Sequence, residues 1–172
     1  MITVTELANS QYFFKIANME KQNKNGFSVY LLWIIVLFQA ASGIYGGIAL
    51  ITDPTGESLN MPITFLQGTP FTNYLIPGLI LFILLGMLPT ITFFGLVSRK
   101  RWKWADALNI YSNKHWSWAF SLYISIMLIF WIDMQVMLIG YNHFIQTLYA
   151  LVGLAMLVFA LLPSVMRSYT RQ

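Results

Sequence analysis

Four long apolar runs, separated by short polar segments, organise this chain. From Val29 to Ile51 it stays apolar over about the 20 residues that a bilayer-spanning helix requires. Asp53-Pro54 ends that run, because the residue before a proline is pushed out of the helical region. Runs at 73–97, 118–140 and 144–166 have the same character, the second ending in the cluster Arg99, Lys100, Arg101 and Lys103. The pattern predicts an all-α membrane protein, a four-helix transmembrane bundle over residues 29–166, with an N-terminal segment 1–28 and a tail 167–172.

The polar segments between the runs set an orientation. Lys15, Lys21 and Lys24 precede the first run, Arg99, Lys100, Arg101, Lys103 and Lys114 follow the second, and Arg167 and Arg171 follow the fourth. The two remaining connections contain no Lys or Arg, so all ten cations fall on one side. By the positive-inside tendency that side is cytoplasmic, with both termini inside. Residues 1–25 are too polar for a secretory signal peptide and are expected to remain. Thr3 and Glu6 have capping-box spacing, and Leu7, Phe14 and Met19 suit either a surface-lying helix or a partly ordered tail.

Two connections carry more than polarity. The outer one, 52–72, sets Leu59, Met61, Ile63, Phe65 and Leu66 among Asp53, Glu57 and Asn60, and is expected to be an ordered lid. Asp53-Pro54-Thr55-Gly56 has turn chemistry, Pro62 suits the first turn of a short helix ending near Gly68, and Thr69-Pro70 is a second helix start. In the inner connection Trp102, Trp104, Trp116 and Trp118 alternate with cations, which predicts anchors at the lipid headgroups, with Asp106 and Lys114 solvated.

Composition agrees with the pattern. The 172 residues are 58% hydrophobic, 16% aromatic and only 9% charged, against about a quarter charged in soluble domains. The net charge of +4 is accounted for by orientation in the bilayer, so no nucleic-acid partner is expected. With no cysteine there is no disulfide, thiol chemistry or Cys-ligated zinc.

Inside the spans, lipid supplies no hydrophobic drive between helices, so small residues and hydrogen bonds mark the contacts. Gln39, Gly43 and Gly46 share one face of the first span, with Ser42 and Gly47 nearby, and Gln146, Ala150, Gly153 and Ala160 form a stripe on the fourth. Both stripes are expected to face the bundle interior. Gly78 and Gly86 mark a close-contact face of the second span. Pro89 should free the carbonyl of Leu85 and kink that helix, with Thr90 and Thr92 available to nearby backbone groups.

The stretch Trp131–Tyr141 holds an acid inside a span, and an intramembrane acid raises a functional question by default. Asp133 and Gln135 lie about 200° apart around a helix, so only one of them points squarely inward. The candidate ligand-binding residues are Gln39, Trp131, Gln135, Tyr141 and Gln146, with Asp133 a proton relay or a partner contact. His143 lies in the turn before the fourth span, but no metal-ligand spacing, phosphate-binding loop or dinucleotide pattern occurs, and no metal or cofactor is expected.

The runs D-P-T-G (Asp53–Gly56), M-P (Met61, Pro62), T-P-F (Thr69–Phe71), Y-L-I-P-G-L (Tyr74–Leu79) and Q-V-M-L-I-G-Y (Gln135–Tyr141) with Gln146 resemble a group of small bacterial four-span membrane proteins with no assigned activity. The resemblance covers roughly residues 39–162 and implies a bacterial inner (cytoplasmic) membrane protein. In that pattern the position of Asp133 is usually apolar, which implies that Gln135 is the inward residue. The paired intramembrane acids of the four-span sterol isomerase group are missing here.

Three functions remain open. The first is a non-catalytic accessory or assembly subunit docking a protein partner or a second copy. The alternative is a binder or carrier of a small apolar or amphipathic ligand or lipid in an outer-side cavity. The third is a membrane enzyme using Asp133 and His143 as acid and base.

Overall fold

The computed structural model describes residues 26–171, so the expectations for Thr3, Glu6 and the rest of the N-terminal segment lie outside the described residues. Four helices are long and apolar enough to cross a membrane: span one (Phe27–Thr52), span two (Leu75–Ser98), span three (Trp116–Ile139) and span four (Phe144–Leu161). Among the described residues there is no strand, only an isolated bridge between Lys114 and Thr170.

The first three spans lie within two residues of their predicted bounds, but the fourth stops at Leu161 and not at 166. Pro163 is the reason. Leu162 before it is extended (φ −59°, ψ 134°), and a separate short helix, Pro163–Ser168, follows. The effect is that of Asp53-Pro54, hidden here inside an apolar run.

Span two is irregular where Pro89 predicts it. A π-helical segment, Ile83–Met87, directly precedes the turn containing the proline. Pro89 has no N–H to offer the Leu85 carbonyl, and the side-chain amide of Gln39 on span one donates to that carbonyl instead, at 3.1 Å. The Thr90 hydroxyl donates to Gly86 O at 2.8 Å, whereas the buried Thr92 hydroxyl has no partner, so only one of the two threonines serves as expected.

The spans pack as two hairpins, one with two and three with four. Glycines set both close approaches: a Cβ on Gly43 would lie 1.9 Å from Leu85 O, one on Gly47 2.6 Å from Phe82 Cβ, and one on Gly153 2.8 Å from Ile129. Gly43 and Gly47 therefore sit against span two, Gly47 being more buried than Gly46, while Gln39, Gly43 and Gly46 also border the space between the hairpins.

At the end bearing the basic residues the two hairpins merge into one core. Val29, Leu32 and Val36 of span one meet Leu96 of span two, Ile124 of span three and Met156 and Ala160 of span four. Trp116 and Trp118 are buried here and are not headgroup anchors. Their indoles donate to Lys100 O and Ala160 O, both at 2.8 Å, and a Cβ on Gly95 would strike the Trp116 ring. Of the four tryptophans only Trp104 is exposed, at 50%.

The C-terminal tail seals this end. Tyr169 is buried, its hydroxyl accepting from Trp33 Nε1 and donating to Leu96 O. Nor are Asp106 and Lys114 merely solvated: Lys114 Nζ donates to Met166 O and Thr170 Oγ1, and Asp106 pairs with Arg101 and Arg171. His115 is buried beside them, and burial pushes its imidazole pKa down, favouring the neutral ring.

Candidate functional site

At the opposite end the hairpins stand apart, and a cavity of about 630 Å³ lies between them under the connection from span one to span two. Its walls follow helical phase. Gln39, Ser42, Gly46 and Leu50 share one face of span one, and Leu128, Trp131, Gln135 and Leu138 share one face of span three. Gln146 and Tyr149 supply the span-four side.

The roof is built from the Asp53–Tyr74 connection. The Asp53 carboxylate ends span one by accepting from Thr55 N at 3.2 Å, Thr55 Oγ1 at 2.5 Å and Ser58 N at 2.7 Å. Those bonds favour its charged form and hold its pKa below the ordinary 3.8, the Thr55 hydroxyl contributing most. Gly56 has a φ of 82°, and a Cβ there would lie 2.4 Å from Met61 O. Tyr74 ties the connection down, its N–H donating to Pro54 O at 2.9 Å and its hydroxyl to Pro62 O at 3.1 Å. Its ring packs with Leu50 and Leu66, while Phe65 meets the His143 ring edge-on at 6.2 Å between centroids.

The floor is the brace between spans one and two. Because the Leu85 carbonyl can only accept, the Gln39 atom facing it must be the NH₂ group, which fixes the carbonyl oxygen on the other side. That oxygen is buried and has no partner. The side-chain amide of Gln135, half-buried on the facing wall, also makes no hydrogen bond among the described residues. The lining contains no Asp, Glu, Lys or Arg, so the site is apolar with a few neutral hydrogen-bonding groups.

Four of the five candidate ligand residues, Gln39, Trp131, Gln135 and Gln146, lie on this wall. Tyr141 does not. Gly140 turns the chain with a φ of 76°, leaving Tyr141 60% exposed with its hydroxyl accepting from Thr147 at 2.9 Å. Gln146 touches the cavity, but its amide is committed to that turn: Oε1 accepts from Asn142 N at 2.9 Å and Nε2 donates to Gly140 O at 3.2 Å.

The competition between Asp133 and Gln135 is decided by phase. Leu128 and Ile132 are buried, which carries Gln135 onto the cavity wall and leaves Asp133 on the exposed side of span three. His143 is on the wall and Asp133 is not, so the two do not share this site as acid and base. Among the described residues no three His, Asp or Glu side chains cluster to hold a metal.

Sequence reasoning passed over Ser42 as a wall residue and missed Tyr149 and Tyr74. The first two sit one turn beyond Gln39 and Gln146, a spacing that was there to be read. Compared with protein-family models, with curated proteins and with solved structures, the chain matches none.

Proposed function

We propose that this protein binds a small, uncharged, apolar or amphipathic molecule in the cavity between its two hairpins. The observation that carries the reading is a volume of about 630 Å³ walled mainly by apolar side chains, with no Asp, Glu, Lys or Arg among them. Such a volume falls in the range of small-molecule sites, roughly 300–1,000 Å³. Gln39 and Gln135 are the groups available to a neutral polar head, because Gln146 is used by the turn. The absence of charge disfavours ionic ligands, since an ion brought into such a space would lose its water without gaining a counter-charge.

In this reading the chain is a multi-pass protein of a bacterial inner membrane, with both termini and the basic end cytoplasmic and the cavity toward the outer face. The distribution of the ten cations supports that orientation. The test is solvent extraction of protein purified in a mild detergent, followed by mass spectrometry of the extract. A neutral species near one per chain is expected from the unaltered protein and should be depleted in Ser42→Phe, which narrows the cavity. Equal recovery from both would argue against the site.

A second reading rests on Asp133. It is exposed on the flank of span three that also presents Phe130 and Met137, 62% and 80% exposed. A carboxyl group facing lipid is costly without a partner, which supports a non-catalytic accessory subunit docked along this flank, or a second copy. Asp133→Leu should then dissociate a complex that survives mild detergent; a monomer before and after the change would remove this reading.

A further inference from the structure

We infer that the occupant of the cavity is a bilayer-dissolved lipid, an uncharged amphipathic molecule, and that it enters sideways between spans one and four. The inference rests on the cavity being a binding site and adds the source and the class of its ligand.

Spans one and four touch through a pair of aromatic rings. Phe38 and Tyr149 stack at 6.3 Å between ring centroids, which closes the wall at that level. One to two turns nearer the roof, Tyr45 and Gly46 of span one and Phe144 and Ile145 of span four all line the cavity. Yet Tyr45 and Phe144 are each 71% exposed and Ile145 55%, on helix faces that point away from the bundle. The same side chains thus border both the cavity and the surrounding lipid. The wall here is one side chain thick, and above the Phe38–Tyr149 stack it forms a slot.

The other routes differ in construction. Spans one and two are sealed by backbone contact at Gly43, Gly47 and Gly78, and spans three and four by Gly153 against Ile129. The roof is fastened through Asp53 and Tyr74 and reaches His143 through Phe65. Between spans two and three a smaller apolar recess of about 240 Å³, lined by Ile80, Leu84, Met127 and Phe130, meets the cavity wall at Trp131. The slot is a thin place that faces hydrocarbon. A molecule using it is already dissolved in the bilayer, and a lining without charge admits an uncharged head drawn in after an apolar chain.

The experiment uses a photoactivatable long-chain alcohol, a diazirine derivative, incorporated into lipid nanodiscs with the full-length protein. Cross-links mapped by mass spectrometry should fall on the interior residues Ser42 and Gln135 as well as on exposed Ile126 on span three. The chain has no cysteine, so Tyr45→Cys with Ile145→Cys provides a unique pair for a bis-maleimide bridge across the slot. Bridging emptied protein before the probe is added should cut interior labelling at least tenfold and leave Ile126 unchanged.

Ile145→Trp provides a second obstruction should the double variant fail to fold. The Ile145 side chain borders both the cavity and the lipid, so enlarging it should narrow the slot with the same loss of interior labelling. Undiminished interior labelling in the obstructed proteins would overturn entry between spans one and four while leaving the cavity reading intact. Absence of interior labelling in the unaltered protein would overturn the cavity reading itself.

Discussion

The two halves of the bundle use the same four helices differently. Near the basic end, bulky aromatics are buried with their polar tips bonded: Trp116 to Lys100 O, Trp118 to Ala160 O, Tyr169 between Trp33 and Leu96. Near the roof the hairpins separate around an open volume, and the amides of Gln39 and Gln135 retain unused capacity. Unpaired polar atoms occur in the solid half too, at Thr92 Oγ1, His115 Nε2 and Arg171 Nε, but none of these residues lines the cavity. The difference teaches that empty space and free hydrogen-bonding groups coincide only where the hairpins part, which is what a ligand site requires and a packed core avoids.

The sharpest way to break the contrast is at the glycine seam below the cavity. In Gly43→Val the new Cβ would fall on Leu85 O, and neither backbone can retreat without parting spans one and two. A loss of about 3 kcal/mol or more is expected, at the upper end of overpacking effects, and is read as a fall in the unfolding temperature in detergent. A smaller but more diagnostic difference comes from enlarging one residue in each half. Ala160→Leu, in the fully buried core, should cost about 1–3 kcal/mol, whereas Ser42→Phe, beside the cavity, should cost little. Equal losses would mean that the halves are packed alike.

The floor can be tested by a double-mutant cycle. Gln39→Leu strands the Leu85 carbonyl and should cost about 1–3 kcal/mol. Pro89→Ala restores an N–H to the helix, so Gln39→Leu should cost clearly less in that background. Additive losses would show that the proline and the glutamine are unconnected.

The smallest effect is expected at the roof. The folded pKa of Asp53 lies below its ordinary 3.8, so its contribution is complete above about pH 3.8 and is lost as pH falls through the lower folded value. Hydrogen exchange at Thr55 and Ser58 should therefore accelerate only in that acidic range, and Asp53→Asn should show part of the acceleration already at neutral pH.

Much of this was legible from residue order. The four apolar runs and the Pro89 irregularity rest on local chemistry, and the structure follows them closely. The break at Pro163 was legible too, but the continuous apolar character of the run concealed it. The fate of Trp116 and Trp118 was not, because an indole beside cations suits a headgroup or a core equally. Trp116 is enclosed by the inner connection with Ala105, Trp102 and Phe120, and Trp118 by span four and the returning tail, in the core that holds Ala160 and Tyr169. Gln135 could be placed once Leu128 and Ile132 fixed the phase of span three. The cavity could not, since it depends on the separation of two hairpins that no local pattern encodes.

The most direct test of the hollow half is the unfolding temperature of the purified protein with a saturating long-chain alcohol, compared with the fatty acid anion and the alkylammonium ion of equal chain length. A ligand that binds only the folded protein at a hundred times its Kd stabilises it by about 2.7 kcal/mol. The account predicts a rise with the alcohol, little or none with either ion, and no rise in Ser42→Phe. Equal shifts with all three compounds, or an undiminished shift in Ser42→Phe, would contradict it.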